Sequence, residues 1–200
     1  MKRRTDLAVA REILIDHEYA NLPIAPPRVI VDLGSHVGFS MLYFRSLYPG
    51  ARIIGVEPDP SALECLQANV RSLDQVEIHQ LAITTVDATV PFFAAKQPWI
   101  SSLRDAGESG SVMVQGRRLD TLLDDLAIET VDLLKIDIEG EEINVLRDSK
   151  RLEDVRAIVG ELHERGDPAV REELFEALEG FDVQAAGEPG QHTTFTALRP

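Results

Sequence analysis

The sequence predicts an α/β fold in which a mostly parallel sheet lies between two layers of helices, and three observations carry that expectation. Short β-prone runs alternate with segments of helical periodicity; the first such run passes straight into a glycine loop; and no repeat or long linker breaks the order. Strands separated by helices have to cross over to pair in parallel, and each crossover packs back on the sheet, which places helices on both faces. At 200 residues the chain suits one domain with a full-sized core. We assign it to residues 28–200, behind a helical extension over 1–27.

The elements follow in order. Leu7, Ala10, Ile13, Leu14 and Ile15 among charges suggest an amphipathic helix over 5–20, ended by Pro23, Pro26 and Pro27. Val29 to Leu33 reads as a strand, Phe39 to Tyr48 as a helix and Arg52 to Val56 as a strand. Asp59 to Leu73 is a helix with Pro60 in its first turn, followed by a strand from Val76 to Gln80. From Thr84 to Val114 the pattern loosens into β-prone pieces, Ala88 to Phe93 and Ser111 to Val114, around GESGS. That stretch reads as hairpins with a mobile active-site loop. Helices are then expected at Leu119 to Leu126, Glu141 to Leu146 and Pro168 to Leu178, with Asp120 as a cap. The remaining strands are Val131 to Ile136, Ala157 to Leu162, Phe181 to Gln184 and Thr193 to Leu198, the last two closing the sheet with an antiparallel edge.

Composition narrows the function. The formal net charge of −14 disfavours nucleic acid and anionic membranes as partners, since the basic runs are confined to the N-terminal KRR and Arg117-Arg118. The single cysteine, Cys65, forms no internal disulfide and reads as a small apolar side chain. No apolar run approaches the roughly 20 residues of a membrane span, so a cytoplasmic protein is the expectation. Oligomeric state is left open by the sequence.

In a parallel α/β sheet, ligands lie beyond the carboxyl ends of the strands. Here those ends carry Asp32 to Gly38, Glu57 to Asp59, Leu81-Ala82, Asp137 to Gly140 and Glu161 to His163. Gly34 and Gly38, spaced G-x-x-x-G, lack the G-x-G-x-x-G of a dinucleotide site and the Lys-Ser/Thr of a P-loop. Asp32 would repel a pyrophosphate, because two unit charges at about 4 Å interact by about 4 kcal/mol at an effective dielectric of 20. A cationic ligand reverses the sign. S-adenosylmethionine carries a sulfonium and an ammonium and no phosphate, and Glu57, ending the second strand, suits the hydroxyls of a ribose. A nicotinamide-dependent oxidoreductase shares the Glu57 position but needs a different glycine pattern. A non-catalytic module binding an adenosine ligand is a further alternative.

At this point the chain resembles a known family. VDLGSHVGFSMLYF, IIGVEPDPSALECLQANV, LDTLLDDL, VDLLKIDIEGEEINVL and IVGELH are similar to successive blocks of the FkbM-type S-adenosylmethionine-dependent methyltransferases, over roughly Val29 to His163. KIDIEGEE is the most distinctive block. The resemblance implies a class I methyltransferase (Rossmann-like) fold with a seven-stranded sheet, and methyl transfer to hydroxyl oxygens of small molecules or sugars. It implies that Asp32, Gly34 and Gly38 serve the methionine end of the cofactor, Glu57 the ribose, and Leu81 and Ala82 the adenine. Ser35, His36, Pro58 and Asp137 complete the expected cofactor set. Ser35 replaces the alanine more usual after the first glycine, and Ile83-Thr84 stands where a glycine is often found.

Lys135, Asp137 and Glu139 alternate on VDLLKIDIEG and are expected on one side of its strand, with Lys135 neutralising the acids. Methyl transfer needs an acceptor oxygen in line with the methyl group and a base for its proton. His163 is the expected base, its ordinary pKa being near 6.5, with Asp137 and Glu161 beside it as catalytic candidates. Glu139, Trp99, Ser101 and Ser102 are the expected substrate contacts. His36, inside the glycine loop, is read as capping the following helix, with contact to the acceptor as the alternative. Asp137, Glu139, Glu161 and His163 could alternatively hold a divalent metal such as Mg2+ that acidifies the acceptor hydroxyl.

Overall fold

The computed structural model describes residues 22–93, 111–164, 166–188 and 192–200, together with Arg11, Ile13 and Tyr19. Its sheet contains β1 (Val29–Leu33), β2 (Arg52–Val56), β3 (Val76–His79), β7 (Leu133–Ile136), β8 (Ala157–His163), β9 (Asp182–Ala186) and β10 (His192–Leu198). They lie in the order β3-β2-β1-β7-β8-β10-β9. β1 pairs in parallel with both β2 and β7, and β7 with β8, so the chain reverses direction about β1. That reversal opens the crevice in which a ligand settles. β10 runs antiparallel to β8 and to β9, so the reversed strand is second from the edge rather than at it.

The helices α1 (Phe39–Leu47), α2 (Pro60–Val70), α3 (Leu119–Asp125), α4 (Glu142–Asp148) and α5 (Ala169–Ala177) divide between the two faces. Alternation along each strand sorts the core. Val31, Leu33, Ile54, Val56, Leu134, Ile136, Ile158 and Leu162 pack with Leu122 and Leu123 of α3, Leu146 of α4 and Leu174 of α5. Ile30, Ile53, Leu133 and Val159 pack on the other face with Met41 and Phe44 of α1, Leu66 and Val70 of α2, and with Ile13 and Tyr19. The expected N-terminal helix otherwise falls outside the described residues.

Local chemistry fixes the helix starts. α1 opens from Gly38 at φ 88°, so its N-cap position falls on a glycine with no side chain rather than on His36. A Cβ on Gly38 would lie 2.7 Å from the Leu66 side chain, and the bare backbone is what lets α1 approach α2. α2 begins with Asp59, whose side chain accepts from the Ser61 N–H at 2.8 Å, and Pro60 occupies the first turn. Asp120 departs from its expected role. It lies inside α3, and its carboxylate instead accepts from the Ser149 hydroxyl and from the backbone N–H groups of Lys150 and Arg151, tying α3 to the 3₁₀ turn Arg151–Asp154.

The loosely patterned region builds a second sheet of β4 (Ala82–Ile83), β5 (Thr89–Phe93) and β6 (Ser111–Arg117), in the order β4-β6-β5. Its small core is Ala82, Phe92 and Val114. β5 is an edge strand with Pro91 at its centre. Residues 94–110, with the expected substrate contacts Trp99, Ser101 and Ser102, lie outside the described residues.

Asp132 anchors the entry to the sheet. Buried just before β7, it accepts from the N–H groups of Arg28 and Val29 at 2.9 and 3.0 Å and from Arg156 at 2.7 Å. Removing a buried acceptor orphans its donors at about 1–3 kcal/mol. Asp132→Ala is therefore expected to lower unfolding free energy by about that much in a urea titration, whereas Asp182→Ala, at an exposed position of β9, changes it little.

Candidate active site

The carboxyl ends of β1, β2, β7 and β8 bring most of the expected residues together. Gly34 and Ser35 leave β1 with both N–H groups donating to the Val56 carbonyl of β2 at 3.0 Å. At Gly34, φ is +82° and a Cβ would sit 1.8 Å from the Asp137 carbonyl oxygen, so the loop presses against the end of β7 and only glycine fits. Ser35 differs from expectation. Its side chain is buried, donates to the Asp32 carbonyl at 2.9 Å and accepts from the Val56 N–H at 3.1 Å, so its hydroxyl staples β1 to β2 rather than facing a ligand.

His36 holds φ 47°, which turns its N–H onto Glu57 Oε2 at 2.8 Å, while the Asp59 N–H donates to Glu57 Oε1 at 2.8 Å. Glu57 is buried under the loop beside partly buried Pro58. Burial pushes its carboxyl up, against those two N–H groups, to about 7.

Asp32 also takes a position the strand pattern did not reveal. It is fully buried, one oxygen accepting from the Ser40 hydroxyl of α1 and the other 3.1 Å from the Lys135 ammonium. The register sets Asp32 directly beside Lys135, so its carboxylate is held against the ammonium inside the protein. The same ammonium donates to the Gly34 carbonyl at 2.6 Å and lies 3.7 Å from Asp137 Oδ2. Burial opposes the charge on Lys135, but Asp32 and Asp137 outweigh it and raise the pKa. Asp137, with 28% of its side chain exposed, is the member of this trio that reaches the crevice.

The strand β7 stops at Ile136, so Glu139 is not aligned by its pleat as expected. Glu139 and Gly140 instead turn the chain, at φ 59° and 101°, into α4. That turn folds around Glu142, whose Oε1 accepts from the Ile138 and Gly140 N–H groups at 3.1 and 3.0 Å. His163, ending β8, is clasped between two carboxylates: Nδ1 lies 3.0 Å from Glu142 Oε1 and Nε2 3.3 Å from Glu139 Oε2. Next to it, buried Glu164 accepts from Arg171 and Thr193 and so pins the end of β8 to α5 and β10.

This clasp corrects the reading of His163 as a base of ordinary pKa. Burial works against the imidazolium, but Glu142 first, then Glu139 and Asp137, push the ring up to about 10. Glu142 is the converse: burial would raise it, and the hydrogen bond with His163 holds it low. Glu139 is driven up by burial, opposed by His163 and reinforced by Asp137, Glu142 and Glu161, to about 8.

Among the described residues, Asp137, Glu142 and His163 offer ligand atoms within 4.8 Å of one another. The set differs from the four groups expected, with Glu142 in place of Glu139 and Glu161. It fits a metal poorly, because Glu142 Oε1 and His163 Nδ1 face each other and that oxygen already serves two backbone donors. Leu81 and Ala82 stand where the two sheets meet. Ala82 is buried in the small core and Leu81 packs partly against the large one, so the Ala82 side chain does not face the crevice.

Two contributors escaped the sequence reading. Ser40 carries no signal beyond its place in the first turn of α1. Glu142 had one: an acid two residues after a turn glycine stands where loop N–H groups gather at a helix start.

A glycine loop after β1, an acid ending β2 and this strand order define a Rossmann-like methyltransferase. Aeropyrum pernix fibrillarin, solved with natively bound S-adenosyl-L-methionine, shares the fold at a TM-score of 0.58 and 16% identity, over 96% of this chain and 74% of that one. The Methyltransferase FkbM domain model matches residues 32–184, and the chain belongs to that family. Methyltransferase sdnD of Sordaria araneosa is 31% identical, covering 96% of this chain and 89% of its own. The 31-O-demethyl-FK506 methyltransferase FkbM of Streptomyces tacrolimicus is 28% identical, covering 90% and 83%.

Gly34→Ala tests the loop. The positive φ alone costs about 1–3 kcal/mol, and the Cβ collides with fixed backbone. The expected result is a lower melting temperature together with loss of ligand binding in calorimetry.

Proposed function

We propose that this methyltransferase uses S-adenosylmethionine to methylate a hydroxyl oxygen of a small molecule. One observation carries the reading: a buried ribose-type acceptor, Glu57, lies beneath a glycine loop at the same sheet end as the partly exposed carboxylates of Asp137 and Glu139. The N–H groups that hold Glu57 leave lone pairs on both its oxygens for a pair of ribose hydroxyls. Asp137 offers an acid to an ammonium, and among the described residues the loop N–H groups of Gly34, Ser35, His36 and Gly38 are already taken by protein acceptors rather than free for a pyrophosphate. The fold shared with a fibrillarin that binds S-adenosyl-L-methionine and the similarity to a 31-O-demethyl-FK506 methyltransferase support the cofactor and the oxygen acceptor.

S-adenosylmethionine supplies a methyl group activated on a sulfonium. The chain's own part is to orient the acceptor oxygen and remove its proton. Glu139 takes that proton, since it is the partly exposed member of the clasp, and its carboxylate becomes the carboxylic acid. His163, with Glu142 behind it, holds Glu139 in place and is a positioning residue. Glu161, part-buried on the same strand as His163, adds negative charge that keeps Glu139 basic.

Adenosylhomocysteine is expected to raise the melting temperature, and NAD to leave it unchanged. Because ribose hydroxyls donate best to the ionised carboxylate, adenosylhomocysteine should bind more tightly as pH rises through about 7, where Glu57 loses its proton. A folded protein indifferent to adenosylhomocysteine at every pH rules the cofactor out.

For the base, turnover on a hydroxylated acceptor found by screening with labelled methyl donor should climb as pH rises through about 8. Glu139→Gln should lower kcat by about 10²–10⁴ while leaving adenosylhomocysteine affinity nearly intact. Activity surviving in Glu139→Gln removes Glu139 from the chemistry. An EDTA arm of the same assay is expected to show no loss.

A further inference from the structure

The Lys135 ammonium is buried to 2% exposure on its own strand and touches three parts of the cofactor site at once: Asp32, the Gly34 carbonyl and Asp137. A neutral residue could fill that space. A cation does two further things. It holds the Gly34 carbonyl inward, and it cancels one of the two carboxylates that flank it.

We infer that the buried pair of Lys135 and Asp32 sets the charge presented by the cofactor crevice, and thereby its preference between the sulfonium-bearing cofactor and the neutral thioether left after transfer. This rests on the cofactor reading above. Lys135 contributes one positive charge, and Asp32 and Asp137 one negative charge each, leaving a single net negative charge whose exposed oxygens belong to Asp137. The two ligands share every group except the methyl and the positive charge on sulfur, so a change in this net charge moves their affinities unequally. A purely architectural role moves both alike.

The sign of the effect follows from the count. Asp32→Asn keeps the shape and the Ser40 contact but leaves Lys135 balanced by Asp137 alone, so this trio becomes neutral and the crevice loses one negative charge. S-adenosylmethionine should then lose affinity relative to adenosylhomocysteine on the order of tenfold, as expected of one unit charge in a partly screened cleft. Adding Lys135→Met to Asp32→Asn restores one net negative charge. In that double variant the ratio of the two dissociation constants should return to the wild-type value, while both ligands weaken together because the Gly34 carbonyl is no longer held.

The experiment is calorimetric titration of both ligands into wild type, Asp32→Asn and the double variant, with thermal melts to establish folding. Asp137→Asn removes the same charge from the other side of the ammonium and must shift the ratio in the same direction, which keeps the test decisive if Asp32→Asn does not fold. An unchanged ratio in the folded single variants, or a ratio that stays shifted in the folded double variant, overturns the inference. Failure of wild type to bind either ligand overturns the cofactor reading itself.

Discussion

The register of β7 against β1 is the constraint on which the site depends. It sets Lys135 beside Asp32 and Ile136 beside Leu33. The next residue, Asp137, then crosses close enough that Gly34 admits no Cβ. A slip of one residue would turn Lys135 and Asp32 to opposite faces and drive charge into the core. An unpaired buried charge costs several kcal/mol, so this pairing selects the register as well as the chemistry.

Around that axis, carboxylates are crowded at a depth where each must be answered. Asp32 is answered by Lys135 and Ser40, Glu57 by two backbone N–H groups, Glu142 by His163 and the turn, and Glu164 by Arg171 and Thr193. Asp137 and Glu139 keep exposed surface, and they lie next to the crevice. Burial thus divides a chemically uniform set of acids into those that support the architecture and those that can meet a ligand. The left-handed backbone of Glu139, uncommon for a residue with a side chain, follows the same logic, since it aims the acid at His163.

The layered fold was legible because its signals are local: alternation in β1 and β2, the Asp59-Pro60 start of α2 and the glycines after β1. The strand order β8-β10-β9 was less so. Alternation tells which way a side chain points but not which neighbour a strand chooses. Asp32 and Ser35 stand near the glycine loop as their sequence positions suggest, but their buried partners, Lys135 and the Val56 N–H, were not legible, because they are fixed only by pairing between strands. His163 was recognised as a notable strand-end residue, but its two carboxylate neighbours come from a turn whose path depends on Glu139 and Gly140 at positive φ. Such backbone states are weakly encoded outside glycine.

Pro91 occupies the middle of β5, at the outer rim of the small sheet. A proline has no N–H to offer a visiting strand, so ladder growth along this rim would lose a hydrogen bond at Pro91. Pro91 therefore works against edge-to-edge pairing in a small sheet that also leaves Met113 largely exposed.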